Sequence, residues 1–88
     1  MANPNSMEAG ADVNGVDADP TGAYAFAATG HDMQELLILN IATFAAGGNP
    51  IIDTYDTSTG NGRGVLYDIL HDRVLLLTNS AVIFLKPA

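Results

Sequence analysis

Two stretches of the chain match each other closely enough to constrain how it folds. Residues 15–29 align without a gap over residues 64–78, at an offset of 49 positions. The identical pairs are Gly15 and Gly64, Val16 and Val65, Asp19 and Asp68, and Thr29 and Thr78. Residues 36–39 then match residues 82–85 once a few turn residues are removed. Both copies therefore predict the same order of strand, turn, strand, turn and apolar strand.

Local patterns in the first copy support a β-meander. Asp19-Pro20-Thr21-Gly22 predicts a tight turn, because proline presets φ and glycine accepts a positive φ. Tyr24, Phe26 and Ala28 then alternate with alanines, as on a strand with two different faces. We predict strands over 11–18, 23–29, 36–41, 51–56, 64–68, 73–78 and 81–85, with loops over 42–50 and 57–62.

Residues 33–46 also fit a helix, and this alternative stays open. Asp32 and Glu35 have the spacing of a capping box, and Gly47-Gly48 could end a helix. The apolar run over 36–41 fits equally well a strand that is buried on both faces. The match to the second copy favours the strand. We therefore predict an all-β fold of antiparallel meander sheets, with an α+β fold as the alternative.

The order of the strands is typical of a propeller, whose blades each have four short strands and recur every 40 to 50 residues. The chain resembles the LVIVD-repeat β-propeller family in four segments: Tyr24–Thr29, Glu35–Ile41, Asn49-Pro50 and Ile51–Asp56. Each blade of that family reads roughly as a "Y-A-Y-V-A" strand, an "L-x-I-I-D-I" strand, an "N-P" loop and a "G-S-Y" strand. Two departures are Asn40, in place of the usual acid, and the longer connection over 42–48.

Residues 1–10 show no periodicity, which predicts a disordered tail. The resemblance implies a partial propeller over 11–88, with one blade over 11–56 and a partial blade over 62–86. Because a ring needs about four to eight blades, the chain is expected to be a fragment or to assemble from several copies. A third possibility is collapse into a small sandwich. The family's members are mostly binding or scaffold modules of bacterial surface proteins, which implies an extracellular or cell-surface location. Residues 1–10 do not have the pattern of a secretory signal.

Composition excludes several classes of function. The chain has ten acidic residues against three basic ones, a net charge of −7, which argues against nucleic acid and anionic membranes as partners. No apolar run approaches the roughly 18 residues of a membrane-spanning helix, so no membrane insertion is expected. Cysteine is absent, which excludes disulfides and thiolate metal sites. No cofactor is predicted, and the expected partners are proteins or further copies, bound through open strand edges.

Four polar residues are the candidates for ligand contact: Asp12 and Asn14 in the predicted strand over 11–18, and Asn61 and Arg63 in the glycine-dense stretch 60–64. Arg63 is the lone cation of the glycine-dense stretch 60–64, which in a propeller joins two blades near the central channel. The simpler interpretation of Arg63 is a salt bridge to Asp68 or to another acid. Phe44, in a predicted loop, is the candidate for partner contact.

A calcium site is the less favoured interpretation of Asp12, Asp17 and Asp19. An EF-hand loop that began at Asp17 would need a glutamate at its twelfth position, where Ala28 stands. Turn acids in contact with solvent explain the three residues more simply. We therefore predict no metal.

The sequence also lacks a recognisable catalytic arrangement. His31 and His71 each stand beside an acid, but neighbouring strand residues face opposite ways, so neither pair forms a ready dyad. We predict that both histidines are exposed turn residues and that the chain is not an enzyme. The expected function is a non-catalytic protein-interaction or scaffold module. The alternative is part of a lactonase-like propeller hydrolase whose catalytic residues lie mostly outside this chain.

Overall fold

A computed structural model describes residues 6–7, 9–10, 12–31, 34–57 and 60–86. These residues form an all-β fold of two antiparallel sheets, which confirms the predicted class. Sheet A has the order β1-β2-β3-β4, with β1 Val13–Ala18, β2 Tyr24–Thr29, β3 Leu36–Asn40 and β4 Ile51–Tyr55. Sheet B has the order β5-β6-β7, with β5 Gly62–Asp68, β6 Arg73–Thr78 and β7 Val82–Leu85. Of the predicted tail, residues 1–5 and 8 lie outside the described residues.

The turn between β1 and β2 forms as its sequence predicts. The amide of Gly22 donates to the carbonyl of Asp19 at 3.0 Å, and Gly22 has a φ of 78°. The carboxylate of Asp19 accepts the amide of Thr21 at 2.7 Å, which closes an Asx turn. Asp68 repeats this contact in sheet B, where it accepts the amide of Leu70 at 3.1 Å.

The two sheets have corresponding pairing registers. Val13 pairs with Thr29 in sheet A and Gly62 with Thr78 in sheet B, and each residue differs from its counterpart by the 49 positions of the sequence alignment. Both hairpins have a register irregularity directly after this pair. The next strand corresponds at an offset of 46, because Leu36 lies opposite Ala28 as Val82 lies opposite Leu77. Side chains at positions that match between the two copies therefore lie on the equivalent face of their own sheet.

The segment after β3 differs from the prediction. The alternative helix over 33–46 is wrong for residues 36–40, which are strand β3; residues 32–33 lie outside the described part of the chain. The strand, however, ends at Asn40, and the predicted loop over 42–50 contains the short helix α1, Ile41–Ala45. The side chain of Asn40 accepts the amide of Thr43 at 3.0 Å and caps α1.

The core lies between the facing surfaces of the sheets, which we call their inner faces. Its fully enclosed members are Phe26, Ala28, Leu36 and Ile38 of sheet A and Val74 and Leu76 of sheet B. The ring of Phe26 stacks on that of Tyr67, with centroids 5.4 Å apart. At one side β1 and β5 come so close that a Cβ atom on Gly15 would lie 3.2 Å from the Cα of Gly64. Burial of these inner faces holds the two sheets together.

Leu76 and Leu77 are neighbours on β6, but only Leu76 belongs to the core. Leu76→Ala is expected to lower the free energy of unfolding by about 2–5 kcal/mol, because it removes buried methyl groups and leaves a cavity. Leu77→Ala makes the same chemical change at a residue that is 42% exposed, and should cost less than about 1 kcal/mol. Urea unfolding of dilute protein measures both values. Equal losses would contradict the placement of Leu76 in the core.

Candidate functional site

Three of the predicted ligand-contact residues lie at one end of the molecule, where β4 ends, β5 begins and the chain passes from sheet A to sheet B. We call this the crossover end. The side-chain amide of Asn14 donates to the carbonyl of Gly62 at 2.7 Å. The backbone carbonyl of Asp12 accepts the amide of Gly30 at 2.9 Å, and a Cβ atom on Gly30 would lie 3.6 Å from Nδ2 of Asn61. Asn14 therefore joins the two sheets, and Asp12 and Asn61 lie beside Gly30.

Arg63 is held by an amide rather than by an acid. Its Nε donates to Oδ1 of Asn79 at 2.6 Å, across the β5–β6 hairpin. The predicted salt bridge to Asp68 is not formed, because Asp68 lies at the opposite end of β5, where its carboxylate contacts His71. Arg63 is exposed and remains accessible to solvent beside the crossover end.

Glu35 is a residue whose role the sequence did not indicate. Its side chain is only 3% exposed, and its Oε1 accepts the amide of Thr57 at 2.9 Å. The hydroxyl of Thr57 donates to the carbonyl of Gly60 at 2.6 Å. The buried carboxylate therefore ties the start of β3 to the crossing segment. In the second copy Ala81 occupies the corresponding position, and this difference is the signal in the sequence that could have identified Glu35.

The three calcium candidates are not brought together. Asp12 and Asp19 flank β1 at opposite ends. Asp17 directs its Oδ2 at the amide of Tyr67, which donates at 2.8 Å, and Asp19 accepts the amides of its own turn. Within the described ranges, no group of three or more histidine and acidic side chains could hold a metal ion. The Asp17 and Asp19 carboxylates thus serve as acceptors for backbone donors.

The other end of the molecule gathers acids around a tyrosine. The hydroxyl of Tyr67 donates to Oδ1 of Asp72 at 2.7 Å, and this bond, with desolvation and the nearby carboxylates, raises the pKa of Tyr67 to about 12. Hydrogen bonds from Thr21 lower the pKa of Asp19, and a hydrogen bond from His71 lowers the pKa of Asp68. These contacts favour the ionised carboxylates and the neutral phenol.

The two histidines lie at opposite ends of the fold. His31 is hydrogen-bonded through Nδ1 to Oε1 of Gln34 at 3.2 Å, near the crossover end. His71 contacts Asp68 in the β5–β6 turn, three residues before it, rather than the adjacent Asp72. No shared site forms between the two imidazoles.

Phe44 lies on α1 and is half-buried. It lines a cavity of about 130 Å³ together with Met7 and Pro50. One wall of this cavity therefore comes from the segment that precedes β1. The ring of Phe44 is partly enclosed by the chain itself.

An apolar surface lies on the face of sheet B that points away from sheet A. We call it the outer patch; it consists of Leu66, Leu75, Leu77, Val82 and Phe84. Leu66 and Phe84 are each 56% exposed, and Val82 is 67% exposed. At the offsets of 49 and 46, the members correspond to Asp17, Phe26, Ala28, Leu36 and Ile38 of sheet A. The apolar residues of that set are buried under sheet B, whereas the outer patch is open.

Gly62 occupies the tightest backbone contact at the crossover end. A Cβ atom at this position would lie 2.6 Å from the carbonyl oxygen of Glu35 and 3.0 Å from the amide nitrogen of Thr29. Gly62→Ala is therefore expected to destabilise the protein by about 2 kcal/mol or more, since backbone must move. Gly64→Ala is the matched control on the same strand, because its Cβ would meet nothing within 4 Å. Thermal unfolding of both variants should separate them, and a Gly64→Ala variant as unstable as Gly62→Ala would contradict this contact.

The raised pKa of Tyr67 gives a stability effect at alkaline pH. The ordinary value is 10.0 and the folded value is about 12, so the contribution is complete below pH 10 and is lost as the pH rises toward 12. Asp72→Ala should lower the pKa of Tyr67 toward 10, because it removes the hydrogen-bond acceptor and its charge. The Cζ chemical shift of labelled tyrosine, assigned with Tyr67→Phe, measures the titration. Asp12→Ala is the control. An equal lowering of the Tyr67 pKa in that variant would contradict the role given to Asp72.

Comparisons with known proteins add no relative. No family model, curated protein or solved structure matches the chain. Within the described ranges, no helix has both the length and the apolar character that crossing a membrane requires.

Proposed function

We propose that the chain is a non-catalytic protein-interaction or scaffold module, built from propeller-type blades, that receives a further antiparallel sheet on its outer patch. In a pure solution of this protein, the further sheet comes from a second copy. The observation that carries the proposal is the open outer patch, which corresponds position by position to the inner face of sheet A. Sheet A has its partner in sheet B, and sheet B has an equivalent apolar face without one.

The energetics of the outer patch support association. Complete burial of a leucine, valine or phenylalanine side chain contributes about 1.5–3 kcal/mol. Four of the five side chains are 42% to 67% exposed, so completing their burial supplies part of this amount in each copy. These contributions oppose the roughly 4–15 kcal/mol that association costs in lost freedom. The patch contains no charged residue, so its burial leaves no unpaired charge. Contiguous apolar surfaces of this kind mark sites where proteins bind one another.

The resemblance to LVIVD-repeat propellers supports the same function. In a propeller each blade packs its two faces against the blades on either side. Sheets A and B pack face to face with corresponding registers, as two neighbouring blades would. A place in a surface-exposed bacterial propeller, with protein partners, follows from that resemblance and belongs to the proposal.

Association of the purified protein tests the proposal. We expect the mass measured by analytical ultracentrifugation to rise above that of the monomer between micromolar and millimolar protein. The double variant Leu66→Lys with Leu77→Lys should remain monomeric, because association would bury the new lysine charges of both copies in the contact without partners. Both residues are exposed in the monomer, so the variant should keep its circular dichroism spectrum.

Leu70→Lys is the matched control. Leu70 is 87% exposed in the β5–β6 turn, outside the outer patch, so its replacement removes apolar surface of the same kind without touching the proposed contact. It should associate as the wild type does. A wild-type protein that stays monomeric over the whole range, or a Leu70→Lys variant that loses association as fully as the double variant, would overturn the proposal.

A further inference from the structure

Sheet B ends at β7, and no strand of the described residues pairs with the second edge of β7. The corresponding strand of sheet A, β3, is paired on both sides, with β2 and with β4. β7 therefore presents a row of backbone donors and acceptors to which another strand can bind.

Sheet A shows which backbone groups of such a strand face each neighbour. The carbonyl of Glu35 accepts the amide of Thr29 at 2.8 Å, on the side of β2. The amide of Asn40 donates to the carbonyl of Pro50 at 2.8 Å, on the side of β4. Because successive residues of a strand direct their backbone groups to opposite sides, the even-numbered residues of β3 face β4.

The same alternation fixes the free edge of β7. The carbonyl of Ala81, which corresponds to that of Glu35, accepts the amide of Thr78 at 2.9 Å, on the side of β6. Ile83 therefore also faces β6 with its backbone groups, whereas Val82 and Phe84 direct their amides and carbonyls toward the open edge.

A shallow cleft lies between the sheets beside this edge, with residues of β3 and β4 on one side and of β6 and β7 on the other. It has a volume of about 60 Å³, and its lining includes Leu36, Ile38, Asp53, Tyr55, Leu85 and Lys86. Ile83 packs against the core, as does Leu85, which lines the cleft. A residue opposite Ile83 on an added strand would therefore lie on the same side of the sheet as the cleft. The cleft can thus receive one anchoring side chain.

Charge indicates which side chain fits. Asp53 lies opposite Ile38 in the β3–β4 register, so its exposed carboxylate is on the inner face at the rim of the cleft. Lys86, one of three cations in the chain, also lines the cleft, and the chain as a whole has a net charge of −7. The acidic chain as a whole therefore attracts a basic segment to this edge.

We propose that the free edge of β7 and the adjoining cleft form a strand-addition site for an extended, basic peptide segment of a partner protein. The segment pairs antiparallel with β7 through the backbone groups of Val82 and Phe84, as β4 pairs with β3. A lysine or arginine opposite Ile83 lays its aliphatic portion on Leu36 and reaches the carboxylate of Asp53. Val82 and Phe84 belong to the outer patch, but they contribute only backbone groups here, and the anchoring side chain enters from the inner face, so the site does not rest on the proposed function.

Fluorescence anisotropy with a labelled peptide tests the site. The probe is Thr-Val-Thr-Arg-Thr-Val-Thr, acetylated and amidated, and the protein is the wild type and the monomeric double variant at Leu66 and Leu77. We expect saturable binding to both, weakened by added salt. Replacement of the arginine by glutamate should weaken binding by about tenfold, as should Asp53→Lys, and the two changes together should restore part of the loss.

N-methylation of the peptide tests strand pairing separately from charge. The threonines that flank the arginine lie opposite Val82 and Phe84, so a methyl group on either of their amides should abolish binding. A methyl group on the arginine amide points away from β7 and should leave binding within about twofold of the unmodified peptide. Asp12→Lys, at the crossover end beside β1, is the protein control and should bind as the wild type does.

Three results would overturn the inference: equal binding of all the N-methylated peptides, equal loss in Asp12→Lys and Asp53→Lys, or no binding at all. If instead a second copy occupied the edge of β7, the monomeric double variant would still associate and the peptide would not bind it. Association through the outer patch is measured by mass without peptide, so each proposal can fail while the other holds.

Discussion

The fold depends on the burial of two apolar sheet faces against each other. Neither a four-stranded nor a three-stranded sheet of this size encloses a core alone, because each has only one layer. The aromatic pair Phe26 and Tyr67 and the aliphatic layer of Leu36, Val74 and Leu76 supply the shared interior. Two side chains of β1 complete the contact. Asn14 and Asp17 form hydrogen bonds with backbone groups of β5, in the place where a neighbouring strand would otherwise pair.

Most strands could be predicted from the sequence because their signals are local or repeated. The turn at Asp19 depends on residues within four positions, and the alignment at an offset of 49 transferred that signal to the less obvious turn after Asp68. The match of residues 36–39 to residues 82–85 favoured strand over helix for β3, whereas propensity alone did not distinguish between them. The structure agrees, because pairing with β2 and β4 outweighs the helix propensity of Leu36 and its neighbours.

The remaining features arise from contacts between distant residues, which no local pattern carries. Glu35 has the spacing of a helix cap but is buried against Thr57, 22 positions away. In the sequence Asn40 is only a departure from a family pattern, whereas in the structure its side chain caps the N-terminus of α1. Arg63 donates a hydrogen bond to Asn79 because the β5–β6 hairpin brings the two residues together. Asp68 is nearer to Arg63 in the sequence but lies at the opposite end of β5. The outer patch could be located only from the strand registers of the structure, which show that its side chains point away from sheet A.

The close approach of β1 to β5 also determines how the two sheets can move. Their nearest contacts lie along β1, β2 and β5, with Gly15 against Gly64, whereas β4 and β7 are separated by the cleft. Any rotation of one sheet relative to the other therefore has its axis near the two glycines and its largest amplitude at the strands farthest from them.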